Sequence, residues 1–108
     1  MDKINKDELN LISMNVILHA GNAKELIFEA IDAASKKKYS LAEELVVEAN
    51  NEMTLAHKTQ TNMLQQEAEG VEIPYSPLFV HAQDTLMTTK SEISILKEII
   101  KIYKKLGG

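Results

Sequence analysis

Within the segment FVHAQDTLMT, Phe79 to Thr88, an imidazole and a carboxylate stand three residues apart, His81 and Asp84. The surrounding pattern is that of a helix, so both side chains lie on one face. An imidazole changes charge near neutral pH and serves as nucleophile, general base or metal ligand. A carboxylate is a hard oxygen donor of the kind Mg²⁺ takes. The rest of the chain narrows what the pair can be part of. It has no Glu-x-x-His pair for a di-metal bundle, no His-Glu-x-x-His, no glycine-rich phosphate loop and no nucleophile elbow. Ser, His and Asp all occur, but at no spacing that singles out a triad. Cysteine is absent, which excludes disulfides, thiolate metal sites and a cysteine nucleophile.

Residues 1–108 make one domain, near the size at which oligomerisation often completes burial. The net charge of −4 and the complete lack of arginine argue against a phosphate-backbone binder, whose affinity rests on clustered cations. The N-terminal MDKINKDELN lacks the apolar core of a signal peptide, and no run reaches the ~18 apolar residues of a membrane span. A soluble, cytoplasmic protein is therefore expected.

Little two-residue alternation, two prolines and long stretches of Ala, Leu, Glu and Lys predict an all-α chain of three helices. The first runs from about Lys6 to Lys37. Asn5 is its N-cap with Glu8 three residues on, and Lys36, Lys37 and Lys38 complement the negative end of the helix dipole. Ser40 and Glu43 predict a capping box opening a second helix to about Ala68. Gly70, Pro74 and Pro77 mark one real loop. Ser76 and Pro77 then form an N-cap and first-turn pair for a third helix to about Leu106.

The third helix carries two stripes. Phe79, Ala82, Leu86, Ile93, Leu96, Ile100 and Tyr103 suffice to bury it on the other two helices. A second seam, His81, Asp84, Thr88, Ser91, Ile95, Ile99, Ile102 and Leu106, needs a further partner. A homo-oligomer in which this helix packs on its own copies supplies one; deeper burial inside a single monomer is the alternative. In a symmetric assembly the Asp84 carboxylates converge. Two unit charges about 4 Å apart repel by about 4 kcal/mol at an effective dielectric near 20. A shared proton, a lysine or a bound cation must offset that repulsion.

Other positions read as structural. His57 is expected to be buried or half-buried and bonded locally, His19 to lie at the surface or rim, and the five methionines to pack the core. Gly21 costs roughly 1 kcal/mol inside a helix and points to a close approach, most simply of another helix.

Several stretches together, AGNAKELIFEAI, AEELVVEAN, AHKTQTNMLQQEA and IPYSPLFVHAQDTLMT, resemble the lactose/cellobiose (N,N'-diacetylchitobiose) class of phosphotransferase-system enzyme IIA, the sugar-specific phosphocarriers of bacteria. The resemblance covers nearly the whole chain. It implies an antiparallel three-helix bundle assembling as a homotrimer with the third helix along the axis. It further implies that His81 accepts a phosphoryl group from the phosphocarrier HPr and passes it to a cysteine of a cognate enzyme IIB. Asp84, one from each subunit, would hold Mg²⁺ or a similar divalent cation at the axis. One departure stands out. The family motif usually continues HAQDHLMT, and here Thr85 replaces the second histidine. Two other readings compete: a non-catalytic trimeric adaptor or regulator descended from the family, and a metal-dependent enzyme using His81 and Asp84 on one ion.

Overall fold

The computed structural model describes residues 3–107 and consists of three long helices, α1 (Lys6–Ser35), α2 (Tyr39–Ala68) and α3 (Pro77–Gly107). They run up, down and up, as the core layers show. Val16 packs with Ala56, Ala82 and Leu86; Ala23 and Ile27 with Ala49 and Ile93; Ala30 and Ala34 with Ala42 and Ile100. The bundle is a rod of 59 × 20 × 18 Å. Among the described residues the one extended pairing is a bridge from Lys3 to Glu72, which ties the N-terminal segment to the α2–α3 loop. No described helix is long and apolar enough to cross a membrane.

The helix ends follow local chemistry, with corrections. Asn5 caps α1 by accepting from the Asp7 amide at 2.7 Å, while Glu8 is exposed and takes no part in the cap. The α1 helix ends at Ser35, short of Lys37, because Lys37 turns to a positive φ of 62° and the Lys36, Lys37 and Lys38 amides close on the last-turn carbonyls. Its last turn therefore holds none of the three lysines. The α2 capping box does not form: the helix starts at Tyr39, two residues earlier than a Ser40 cap would set it, and its cap residue, Lys38, offers no side-chain acceptor. Gly70 takes the left-handed turn (φ 99°) after α2, a conformation open to glycine at no steric cost.

At α3 the expected cap is present. The Ser76 hydroxyl accepts from the Phe79 amide at 3.2 Å and donates to Asn10 Oδ1 on α1 at 2.9 Å. One buried side chain thus closes the helix end and pins it to its neighbour. Ser76→Ala is expected to lower unfolding stability by about 1 kcal/mol, read from the urea midpoint at unchanged slope.

Alanine supplies much of the core: Ala20, Ala23, Ala30, Ala42, Ala49, Ala56 and Ala82 are fully buried. Larger apolar side chains remain outside it, including Ile95 (64% exposed), Ile102 (54%) and Leu106 (83%). The four apolar positions of the second seam are thus uncovered in the single subunit, as the two-stripe pattern requires. In the first stripe, Ala82, Leu86, Ile93 and Ile100 are buried, Phe79 and Leu96 half-buried, and Tyr103 exposed. Methionine corrects the packing expectation in part: Met63 is buried and Met53 half-buried, but Met14 and Met87 are exposed, and Met1 lies outside the described residues. Gly21 is also not a helix contact, since a Cβ built there meets nothing within 4 Å.

Candidate functional site

The cap at Ser76 sets where α3 begins, and His81, its fifth residue, follows about one turn inside. The helix periodicity then turns Ala82 and Leu86 to the core and leaves His81 and Asp84 exposed. His81 stands in a shallow cleft of about 260 Å³ between α1 and α3, with Lys24, Asp84, Thr85, Thr88 and Glu92 around it. Lys24 and Glu92 form an ion pair at 2.8 Å that crosses from α1 to α3 and closes the lower end of the cleft.

His81 and Asp84 share the cleft, and no hydrogen bond or ion pair joins them among the described residues. The imidazole therefore carries a free nitrogen lone pair open to solvent. Lys24 is the one cation among the cleft's lining residues, and Thr85 and Thr88 bring hydroxyls. The position one turn into α3 leaves only a small share of the helix dipole at His81, since that field fades within the first turn.

The other histidines divide differently from expectation. His57 is exposed rather than buried, because its place on α2 faces an open hollow between α2 and α3. His19 is half-buried and meets the Glu52 carboxylate, which α2 brings across from a position 33 residues away. No sequence pattern on α1 alone could reveal that partner. Lys24 and Glu92 were likewise not legible as neighbours of His81. The signal for them lies in the α1–α3 register, which the spacing of either helix does not contain.

Asp84 lines both the His81 cleft and the hollow on the α2 side, so it occupies the crest of α3 between them. Ile95 and Ile102 continue that crest at helical spacing. Among the described residues of one subunit, no group of three or more His, Cys, Asp or Glu side chains is placed to hold a metal ion. One exposed carboxylate is an oxygen donor of the kind a hard cation takes.

The chain matches the family model described as PTS system, lactose/cellobiose-specific IIA subunit, over residues 11–104. It is 43% identical to the PTS system lactose-specific EIIA component of Staphylococcus epidermidis, over 94% of this chain and 98% of that protein. Among solved structures it is similar to PtcA from S. mutans, with a TM-score of 0.86 and 42% identity over 94% of this chain and 99% of that one. It is also similar to a chain of the IIA(Chitobiose)–HPr complex of the Escherichia coli N,N'-diacetylchitobiose branch, with a TM-score of 0.81 and 28% identity over 94% and 98% of the two chains.

Proposed function

We propose, from the premise that this chain belongs to the lactose/cellobiose-specific IIA subunit family of the phosphotransferase system, that it is a cytoplasmic phosphocarrier working through His81. A ring nitrogen of His81 attacks the phosphorus of phosphorylated HPr; the new N–P bond forms as the bond to the donor breaks. The reverse geometry then delivers the phosphoryl group to a cysteine thiolate of a cognate enzyme IIB, which phosphorylates the incoming disaccharide. The observation that carries this reading is the free, exposed imidazole of His81 in an open cleft. A carrier must accept and release with comparable ease, so the subunit should hold the group in place without clamping it. The hydroxyls of Thr85, Thr88 and Thr89 and one lysine already committed to Glu92 meet that need. The test is incubation with phosphoenolpyruvate, enzyme I and HPr, followed by intact mass and site mapping under conditions that preserve phosphohistidine.

Lys24 supplies the cleft's only lining cation, so Lys24→Met is expected to slow labelling of His81 by about threefold without blocking it, the scale of a solvent-screened charge. Stopped-flow or quenched labelling at low ionic strength measures it.

The same reading includes a homotrimer around α3. The uncovered Ile95, Ile99, Ile102 and Leu106 support it, since full burial of an aliphatic side chain contributes about 1.5–3 kcal/mol. Three Asp84 carboxylates would then converge, and Mg²⁺ or a similar divalent cation held by them would neutralise their repulsion. Thr85 supports a second reading, a non-catalytic regulatory trimer, because it places a hydroxyl in the His81 cleft where the family motif carries an imidazole. Labelling at His81 discriminates the two.

A further inference from the structure

Two faces of the subunit carry exposed apolar side chains. One borders α3, where the buried Gln60 has neither amide atom paired, and it falls to the assembly about α3 proposed above. The other lies along α1 and α2. Leu11, Leu18 and Glu25 repeat every seven residues on α1, and Leu41, Glu48 and Leu55 do so on α2, so each set forms one strip. The contact of His19 with Glu52 sets the strips side by side: Leu18 adjoins His19, while Leu55 and Glu48 stand three and four residues from Glu52. Leu11, Leu18, Leu55 and Leu41 are 74%, 58%, 50% and 44% exposed. Asn10 and Lys24 meet α3 from another side of α1, so assembly about α3 leaves this face outward.

The charge on the face is predominantly negative. Glu25, Glu29, Glu44 and Glu48 are exposed, and among the described residues none pairs with a cation. At the lower end a groove of about 510 Å³ has Phe28, Leu41 and Leu45 in its lining beside Glu29. Of the two lysines there, Lys36 is paired with Asp32, which leaves Lys38 alone.

That sign selects the occupant. Anionic lipid and nucleic acid are repelled, and the same face of a second copy would set carboxylate against carboxylate. A cationic protein segment is attracted. Its conformation follows from the shape: two packed antiparallel helices leave a groove between their ridges in which a further helix lies. Leu41 stands level with the stretch from Ala30 to Ala34, because Ala42 packs there. It is therefore about 30 Å below Leu11 at 1.5 Å per residue, the length of a helix of about 20 residues. We propose that the outer face of α1 and α2 docks a cationic amphipathic helix of a partner protein. The apolar side of that helix, at i, i+3, i+4 and i+7, covers the four leucines, and its lysines or arginines meet Glu25, Glu29, Glu44 and Glu48. The His81 cleft opens on the other side of α1, so a subunit docked in this way keeps its imidazole free.

The probe is a synthetic 20-residue helix of leucine and lysine with that spacing, titrated into the full ¹⁵N-labelled chain. Saturable amide shifts confined to residues 11–29 and 41–55 are expected. Affinity should fall about tenfold for Glu25→Lys with Glu48→Lys, and about tenfold for Leu18→Gln with Leu55→Gln. Glu67→Lys with Glu69→Lys makes the same charge change on exposed residues at the end of α2 and should leave affinity within about twofold. An equal loss in that control would reduce the attraction to net charge and overturn the docking. So would the absence of saturable shifts, or shifts centred on the His81 cleft. Phosphatidylglycerol vesicles and a dilution series of the chain alone test the other occupants. If either perturbs the same amides while the peptide does not, the face belongs to lipid or to a second copy, and the proposal fails.

Discussion

His81→Ala is expected to lose all phosphoryl labelling from phosphorylated HPr while keeping the native fold. The loss should be complete because no other described side chain in the cleft offers an unengaged nitrogen; Lys24 is held in an ion pair. The fold should survive because the His81 side chain is exposed and makes no hydrogen bond within the described chain, which places the substitution among surface changes of about 0.5 kcal/mol or less. Intact mass and circular dichroism on the same preparation measure both quantities. Persistent labelling at His19 or His57 would move the acceptor. His19 is the poorer candidate of these, since its ring is engaged by Glu52. Labelling of neither the native chain nor the variant, with a parallel IIA labelled as control, would favour the regulatory reading. Thr85→His would then be the substitution to make, since Thr85 lines the His81 cleft.

How far the molecule could be read from its sequence depended on the range of the interaction concerned. Ser76 followed by Pro77 announced the start of α3, because capping is satisfied within four residues, and the structure has the bond where the pattern put it. The second seam of α3 was legible for the same reason: period 3.6 assigns faces regardless of what covers them, and Ile95, Ile102 and Leu106 are uncovered. Ser40 and Glu43 misled because Lys38 folds back onto the Ala33 carbonyl, and that turn starts α2 before serine can cap it. His57 misled because its helical context gives no sign that α2 and α3 splay apart at that height. The ion pair beside His81 and the buried, unpaired Gln60 depend on how three helices register against one another. No single helix's periodicity encodes that. The chemistry of the site followed the same division: His81 and Asp84 could be singled out from type and spacing, while the reaction assigned to them came from likeness to a family.

Asp84→Leu is the second large effect, expected as a gain of independence. Each pair of carboxylates brought to about 4 Å at an axis repels by about 4 kcal/mol at an effective dielectric near 20. A trimer of the native chain should therefore loosen when a chelator removes the divalent cation. In the proposed trimer, leucine at position 84 replaces three converging charges with apolar side chains on the crest of α3 that carries Ile95, Ile99 and Ile102 further along. The variant trimer should persist in chelator and unfold at a higher temperature than the chelated native protein. Sedimentation velocity and thermal melts, each with and without added Mg²⁺, give the four conditions needed. If Asp84→Leu dissociates the trimer, the ion is a structural bond that holds the subunits together, and the apolar seam is too weak to do so by itself. If the native trimer ignores chelator while the variant is stabilised, a shared proton relieves the repulsion in place of a metal. Labelling of His81 in the variant adds a separate readout: because no hydrogen bond or ion pair joins His81 and Asp84 among the described residues, phosphoryl acceptance should continue after the carboxylate is gone. Loss of labelling with the trimer intact would instead join the two residues in one site, as the metal-dependent reading requires.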